Sequence, residues 1–229
     1  MRDVEMSFML TKLRPMLLPH SPLALKDLRT GTVNDPLRIL VSGCIMGWPV
    51  TTDGTDAGLG GSLQALFALP NVVAVPFCPE DTGIGTPRGM PDIHGGDGFD
   101  VLDGRARVLD QHGNDLTEMM MYGASKMLEF ALEQRVDVAV LTDMSAACGS
   151  QVISDGCRLV PDRTYQRGVG VATAMVLRAG IPVLSARDYK TLYAIMRRHN
   201  DALPHRDDLR DHHETDWYVS YFGDTSSST

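Results

Sequence analysis

Apolar residues fall into short runs separated by polar and glycine-rich stretches, and the runs follow two periods. Arg38-Ile-Leu-Val-Ser is a β-branched run that stops at Gly43-Cys44, which predicts a buried strand of a parallel sheet. Asn71-Val-Val-Ala-Val-Pro-Phe predicts a second strand ending at Cys78, and Val136-Asp-Val-Ala-Val-Leu-Thr a third ending near Ser145 and Cys148. Ile181-Pro-Val-Leu predicts a fourth. Helical spacing appears between them. Ser62 to Leu69 is a short helix stopped by Pro70, and a longer one starts at a cap on Asn114 or Asp115 and runs to about Gln134. Leu116, Met120, Met127, Leu128 and Ala131 share one face of that longer helix, and the methionines at 119–121 are read as core. Arg163 to Ala179 is read as one helix, with Val169, Ala172, Met175 and Val176 inward, and Asp188 to His199 as another. Asp53 to Gly61 and residues 81–98 are loops, and Val101 to Gly113 is a hairpin or excursion.

Strands alternating with helices predict the α/β class: a mostly parallel sheet flanked by helices, Rossmann-like, in a single domain with two extensions. The expected divisions are an N-terminal extension at 1–37, an α/β domain at 38–186, and a helix with a polar tail at 187–229. The first extension, with Pro15, Pro19, Pro22 and Pro36, is expected to pack on the core without carrying chemistry. The tail from Pro204, with His205, His212 and His213, is read as solvated, and its end, Asp-Thr-Ser-Ser-Ser-Thr, as loose.

At 229 residues the chain has room for one such domain with its extensions. A hydrophobic share of 43% excludes disorder for the bulk of it. Lys and Arg number 21 against 29 Asp and Glu, a net charge of −8, and this acidic balance disfavours nucleic acid and anionic membrane as partners. No apolar run reaches the roughly 18 residues of a membrane span. Met1-Arg-Asp-Val-Glu-Met carries acids where a secretory signal would be basic. The expectation is a soluble cytoplasmic protein acting on a small molecule, with a homo-oligomer left open.

The cysteines change the picture. Cys44, Cys78 and Cys148 each follow a predicted strand at its C-terminal end, where open α/β sheets bind ligands. Three thiolates at one edge suit zinc with an open position, or a 4Fe–4S cluster with one iron lacking a protein ligand. Cys157, nine residues after Cys148, would close the site if it were a fourth ligand, and is otherwise a buried thiol. The glycines at 83, 85, 95, 96 and 98 follow neither a dinucleotide fingerprint nor a P-loop, so they are read as loop geometry.

The surroundings of the three cysteines carry a resemblance. Ser42-Gly-Cys-Ile-Met-Gly with Asp53-Gly54, then Cys78-Pro-Glu-Asp-Thr-Gly-Ile-Gly-Thr-Pro-Arg, then Asn114-Asp-Leu-Thr-Glu with Tyr122-Gly-Ala, then Ser145-Ala-Ala-Cys-Gly-Ser, and last Asp155-Gly and Arg167-Gly-Val-Gly-Val occur in one order. In that order they resemble a family of small bacterial proteins that includes the thiouracil desulfidases, over roughly residues 38–186. The chain departs from the pattern at Thr51-Thr52, where the family has Arg-Tyr, and at Ala146-Ala147, where it has Pro-Ser. The acid expected after the Pro-Arg loop is Asp92.

The resemblance implies a 4Fe–4S cluster on Cys44, Cys78 and Cys148 with one open iron, and leaves Cys157 outside the ligand set. It implies a redox-neutral desulfidase acting on a thiolated base or nucleoside, with the substrate sulfur on the open iron and water adding to the carbon. Glu80 is the implied general base and Ser145 the hydroxyl that hydrogen-bonds the base or relays a proton. Arg88 and Asp53 are candidates for substrate contact. Arg88 otherwise ties down the glycine-rich loop or pairs with Glu80, and Asp53 is read first as a turn residue. Among the histidines, His94 in the long loop is the one candidate to face the site, and it is read first as lying outside it. The alternatives are a three-thiolate zinc hydrolase with Glu80 as base, and a cluster-bearing sulfur carrier or sensor without catalysis.

Overall fold

The protein is described by a computed structural model over residues 25, 26 and 28–223. In chain order its strands are β1 (Leu37–Ser42), β2 (Val72–Phe77), β3 (Asp92–His94), β4 (Arg107–Leu109), β5 (Val138–Leu141), β6 (Val152–Asp155), β7 (Thr164–Arg167) and β8 (Val183–Ser185). Its helices are α1 (Gln64–Phe67), α2 (Pro79–Gly83), α3 (Gly98–Leu102), α4 (Thr117–Glu133), α5 (Val171–Arg178), α6 (Tyr189–His199) and α7 (Asp216–Phe222). Short 3-10 turns occupy Gly43–Met46 and His212–Glu214.

Four parallel strands make the central sheet in the order β2-β1-β5-β8. Both faces of it are covered, which is why its strands are apolar nearly throughout. Leu37, Ile39 and Val41 of β1 point to the layer holding Leu66, Leu192 and Ile195. Leu40 points the other way, with Val75, Ala139 and Leu141, onto Met120, Ala124, Met127 and Ala131 of α4 and Val171, Ala172 and Val176 of α5. The α4 face is the one expected, with Leu116 and Leu128 partly buried against it. Of the three methionines Met120 is core and Met119 is exposed. The N-cap is Leu116 and not the expected Asn114 or Asp115, although the Asp115 carboxylate accepts the Thr117 N–H at 2.9 Å just before the helix. The described part of the N-terminal extension is tied to the sheet by Arg29, whose Nε donates to Asp137 at 2.6 Å. The expected packing of residues 1–24, and the expected loose end at 224–229, lie outside the described residues. Among those described, no helix is long and apolar enough to cross a membrane.

Three further expectations are corrected. Arg163 to Ala179 is not one helix: residues 164–167 form β7, antiparallel to β6, and α5 starts at Val171. The backbone N–H of Gly168 donates to Gln151 and that of Gly170 to Gly149, so this stretch pairs across the chain and not into a helix. The span 81–98 is not all loop, since β3 within it pairs with β4. The tail from Pro204 is not solvated throughout. Trp217, Tyr218, Tyr221 and Phe222 fold α7 back, and His212 is buried with its ring stacked on Trp217. Aromatic surface outweighs the polar character of the segment around it.

Candidate metal centre

The sheet order reverses beside β1, which sends the chain to β2 on one side and lies against β5 on the other. Such a reversal opens a crevice at the carboxyl ends of the strands. Cys44, Cys78 and Cys148 follow β1, β2 and β5, three neighbours in the sheet, and all three line one cavity of about 350 Å³ there. Val50, Ala57, Leu59, Phe77, Met90 and Pro91 supply apolar wall.

Local sequence fixes each thiol. Cys44 lies in the 3-10 turn after β1, ended by Gly47 at φ 82°, and its Sγ is 3.5 Å from the Thr142 hydroxyl. Cys78 caps α2: its Sγ accepts the Asp81 N–H at 3.4 Å, with Pro79 at the first helical position. That helix lies against α4 because Gly83 and Gly123 let the backbones meet. A Cβ on Gly123 would stand 1.9 Å from the Pro79 carbonyl oxygen. Cys148 is buried in the loop between β5 and β6.

Burial pushes all three thiols up, Cys78 to about 12 and Cys148 well above the ordinary thiol range, and the Glu80 charge adds to the shift. Thiolates here therefore call for a cation among them, which is the chemistry of a metal centre. The donor set is all soft sulfur, which suits zinc or an iron–sulfur cluster.

Beside the thiols, Glu80 is held at both oxygens. Arg88 Nη2 donates to Oε2 at 2.5 Å and the Ser145 hydroxyl donates to Oε1 at 2.8 Å. The Ser145 oxygen in turn accepts the N–H of Cys148 at 2.9 Å and of Ala147 at 3.2 Å. One hydroxyl thus joins the carboxylate to the Cys148 loop.

Arg88 is 3% exposed and also donates to the carbonyls of Gly85 and Val50 and to the Thr86 hydroxyl. It ties the glycine-rich loop, and its Nε is left buried without a partner. Asp53 stands at the cavity rim, with Oδ1 taking the hydroxyls of Thr51 and Thr55 and the Thr55 N–H, the contacts of a turn residue. These bonds hold its carboxyl below the usual range.

Other candidates lie elsewhere. His94 and Cys157 are outside the cavity lining. Asp92 is buried and paired with Arg158, whose Nε lies 2.6 Å from Oδ1 and which also bonds the Met144 carbonyl. Sequence reasoning missed Asp143, at the end of β5, which accepts the backbone N–H groups of Ser150 and Gln151 and pairs with His212. No local signal marks it, because its partners lie up to 69 residues away.

The part of the chain that a family profile matches contains all three cysteines. A profile of the 2-thiouracil desulfurase family matches residues 39–188. An uncharacterized protein of Bacillus subtilis strain 168, YbbK, is 36% identical over 151 residues, which are 66% of this chain and 96% of YbbK. The solved structure of a 4Fe–4S-dependent thiouracil desulfidase, TudS, matches at a TM-score of 0.56 and 33% identity, covering 69% of this chain and 95% of TudS.

Proposed function

Because the chain belongs to the 2-thiouracil desulfurase family, we propose that it is a 4Fe–4S-dependent desulfidase acting on a small thiolated base or nucleoside of the thiouracil kind. The observation that carries the reading is the meeting of Cys44, Cys78 and Cys148 at one cavity beside the Glu80–Ser145 pair. The activity is assigned to residues 38–186, with 1–37 and 187–229 as extensions, in a cytoplasmic protein.

Cys44, Cys78 and Cys148 would hold the cluster, which supplies a Lewis-acidic iron without a protein ligand for the thiocarbonyl sulfur. The overall change is redox-neutral: thiocarbonyl plus water gives carbonyl plus hydrogen sulfide. Glu80 is the base that takes one proton from the water as its oxygen bonds to carbon and returns that proton to the sulfur; the carboxylate then takes the remaining hydroxyl proton as the carbonyl forms and the C–S bond breaks, and that proton leaves with the hydrosulfide as hydrogen sulfide. Arg88 fixes one oxygen of Glu80. Ser145 orients the other, and through the Cys148 N–H it sets the carboxylate against the ligand loop. The apolar wall from Val50 to Pro91 suits a flat uncharged ring and excludes bulk water. Arg88 and Asp53 remain the candidates for substrate contact, since both border the cavity. The intact Glu80–Ser145–Cys148 chain favours an enzyme over a sulfur carrier.

The test is iron and acid-labile sulfide in protein purified without oxygen, followed by turnover of 2-thiouracil to uracil and sulfide. About four of each per chain is expected, with both lost in Cys44→Ser, Cys78→Ser and Cys148→Ser and retained in Cys157→Ser. Zinc without sulfide would overturn the reading in favour of a hydrolase.

A further inference from the structure

We propose that the C-terminal segment 204–223 braces the loop carrying Cys148, with His212 as a positioning residue that acts through Asp143. The inference rests on Cys148 being a cluster ligand, as read above. The segment lies outside the residues that the family profile matches. The brace therefore lies outside the matched domain.

Asp143 works as a clamp with one oxygen for each side. Its Oδ1 accepts the Ser150 N–H at 2.9 Å, the Ser150 hydroxyl at 2.8 Å and the Gln151 N–H at 2.8 Å. These bonds close the loop from residue 143 to 151 end to end, with Ser145 and Cys148 inside it. Its Oδ2 faces the scaffold: the Ser185 hydroxyl at the end of β8 donates to it, and so does His212 Nδ1, at 2.7 Å. The His212 backbone N–H is itself held by Asp188 Oδ1 at 3.0 Å, and Asp188 also takes Gln151 Nε2. Both His212 and Asp143 are buried, with side chains 2% and 0% exposed. Without His212, Oδ2 keeps the Ser185 hydroxyl as its one scaffold donor, and a buried carboxylate short of donors is costly. The loop then opens more often, and with it the Cys148 N–H that holds Ser145 against Glu80.

Hydrogen exchange on the full chain, purified with its cluster, tests this. In His212→Phe the peptide spanning 145–153 should exchange about tenfold faster, while that spanning 78–84 stays within about twofold of the native protein. His212→Asn places an amide N–H near the position of Nδ1–H and should return exchange toward the native rate. The paramagnetic signature of the reduced cluster should shift in the phenylalanine variant and return in the asparagine one. If His212→Phe does not fold, Asn against Gln carries the same comparison, since Gln sets its N–H one bond too far. Equal acceleration of both peptides, no acceleration, or no rescue by Asn would overturn the brace. Native protein holding no iron, with exchange still responding at 145–153 alone, would overturn the desulfidase reading and leave the brace standing.

Discussion

Two carboxylates flank the loop that carries Cys148, and they are held in opposite ways. The Asp143 side chain is fully buried, although the residue borders the cavity, and it takes donors on both oxygens from Ser150, Gln151, Val152, Ser185 and His212. A carboxylate has about four lone-pair sites, and Asp143 fills them. Glu80 is 13% exposed, lines the cavity, and takes one donor on each oxygen, from Arg88 and Ser145. Two of its sites remain for water or a proton. The difference separates a carboxylate that holds the loop from one that has the capacity for chemistry beside it, although neither the charge nor the residue type distinguishes them.

The largest effect expected from breaking this comparison is at Glu80. Glu80→Gln keeps the shape and the Ser145 contact but removes the base. General-base catalysis is worth about 10² to 10⁴ in rate, so turnover of 2-thiouracil should fall by that range with iron and sulfide content unchanged. A loss of iron instead would move Glu80 from the chemistry to the structure of the centre. Asp143→Asn should do the reverse. Breaking a buried hydrogen-bonded pair costs about 3–5 kcal/mol, visible as a lower urea midpoint for the full chain, with iron content falling alongside. A variant as stable as the native chain would show that Asp143 does not hold the loop.

The same contrast marks what the sequence could and could not reveal. The strands before Cys44, Cys78 and Cys148 were legible because β-branched runs bounded by Gly or Pro are local signals, and three thiols at three strand ends is a pattern one can count. The short helix α2 was also within reach, since Pro79, Glu80 and Asp81 form a helix start after Cys78. β7 was not, because Thr164-Tyr-Gln-Arg has no apolar alternation and depends on its register with β6. The fold-back of the tail was signalled only by Trp217 to Phe222, and a cluster of histidines and acids before it obscured that. The Glu80–Arg88 pair spans eight residues and was among the expected alternatives. The Asp143–His212 pair spans 69 and had no trace in any local window.

The smallest expected effect is the acid response of the buried pair. Burial alone would raise the Asp143 carboxyl. The bond and charge of His212 and the bond from Ser185 more than offset that and bring it down to about 2. A carboxyl whose folded value lies below its unfolded one, about 3.9, stabilises the fold fully above the unfolded value. That contribution is lost as pH falls from about 4 toward about 2, because the folded state must then take up a proton it binds poorly. The gap corresponds to about 2.6 kcal/mol. Urea midpoints of the native chain and Asp143→Asn, followed from about pH 5 to about pH 2, isolate this group because the other acids titrate in both. The native advantage should shrink by about that amount across the window, and His212→Phe should flatten the slope. An advantage that stays constant down to pH 2 would mean that Asp143 is not held down by His212, and the contrast with Glu80 would then rest on geometry alone.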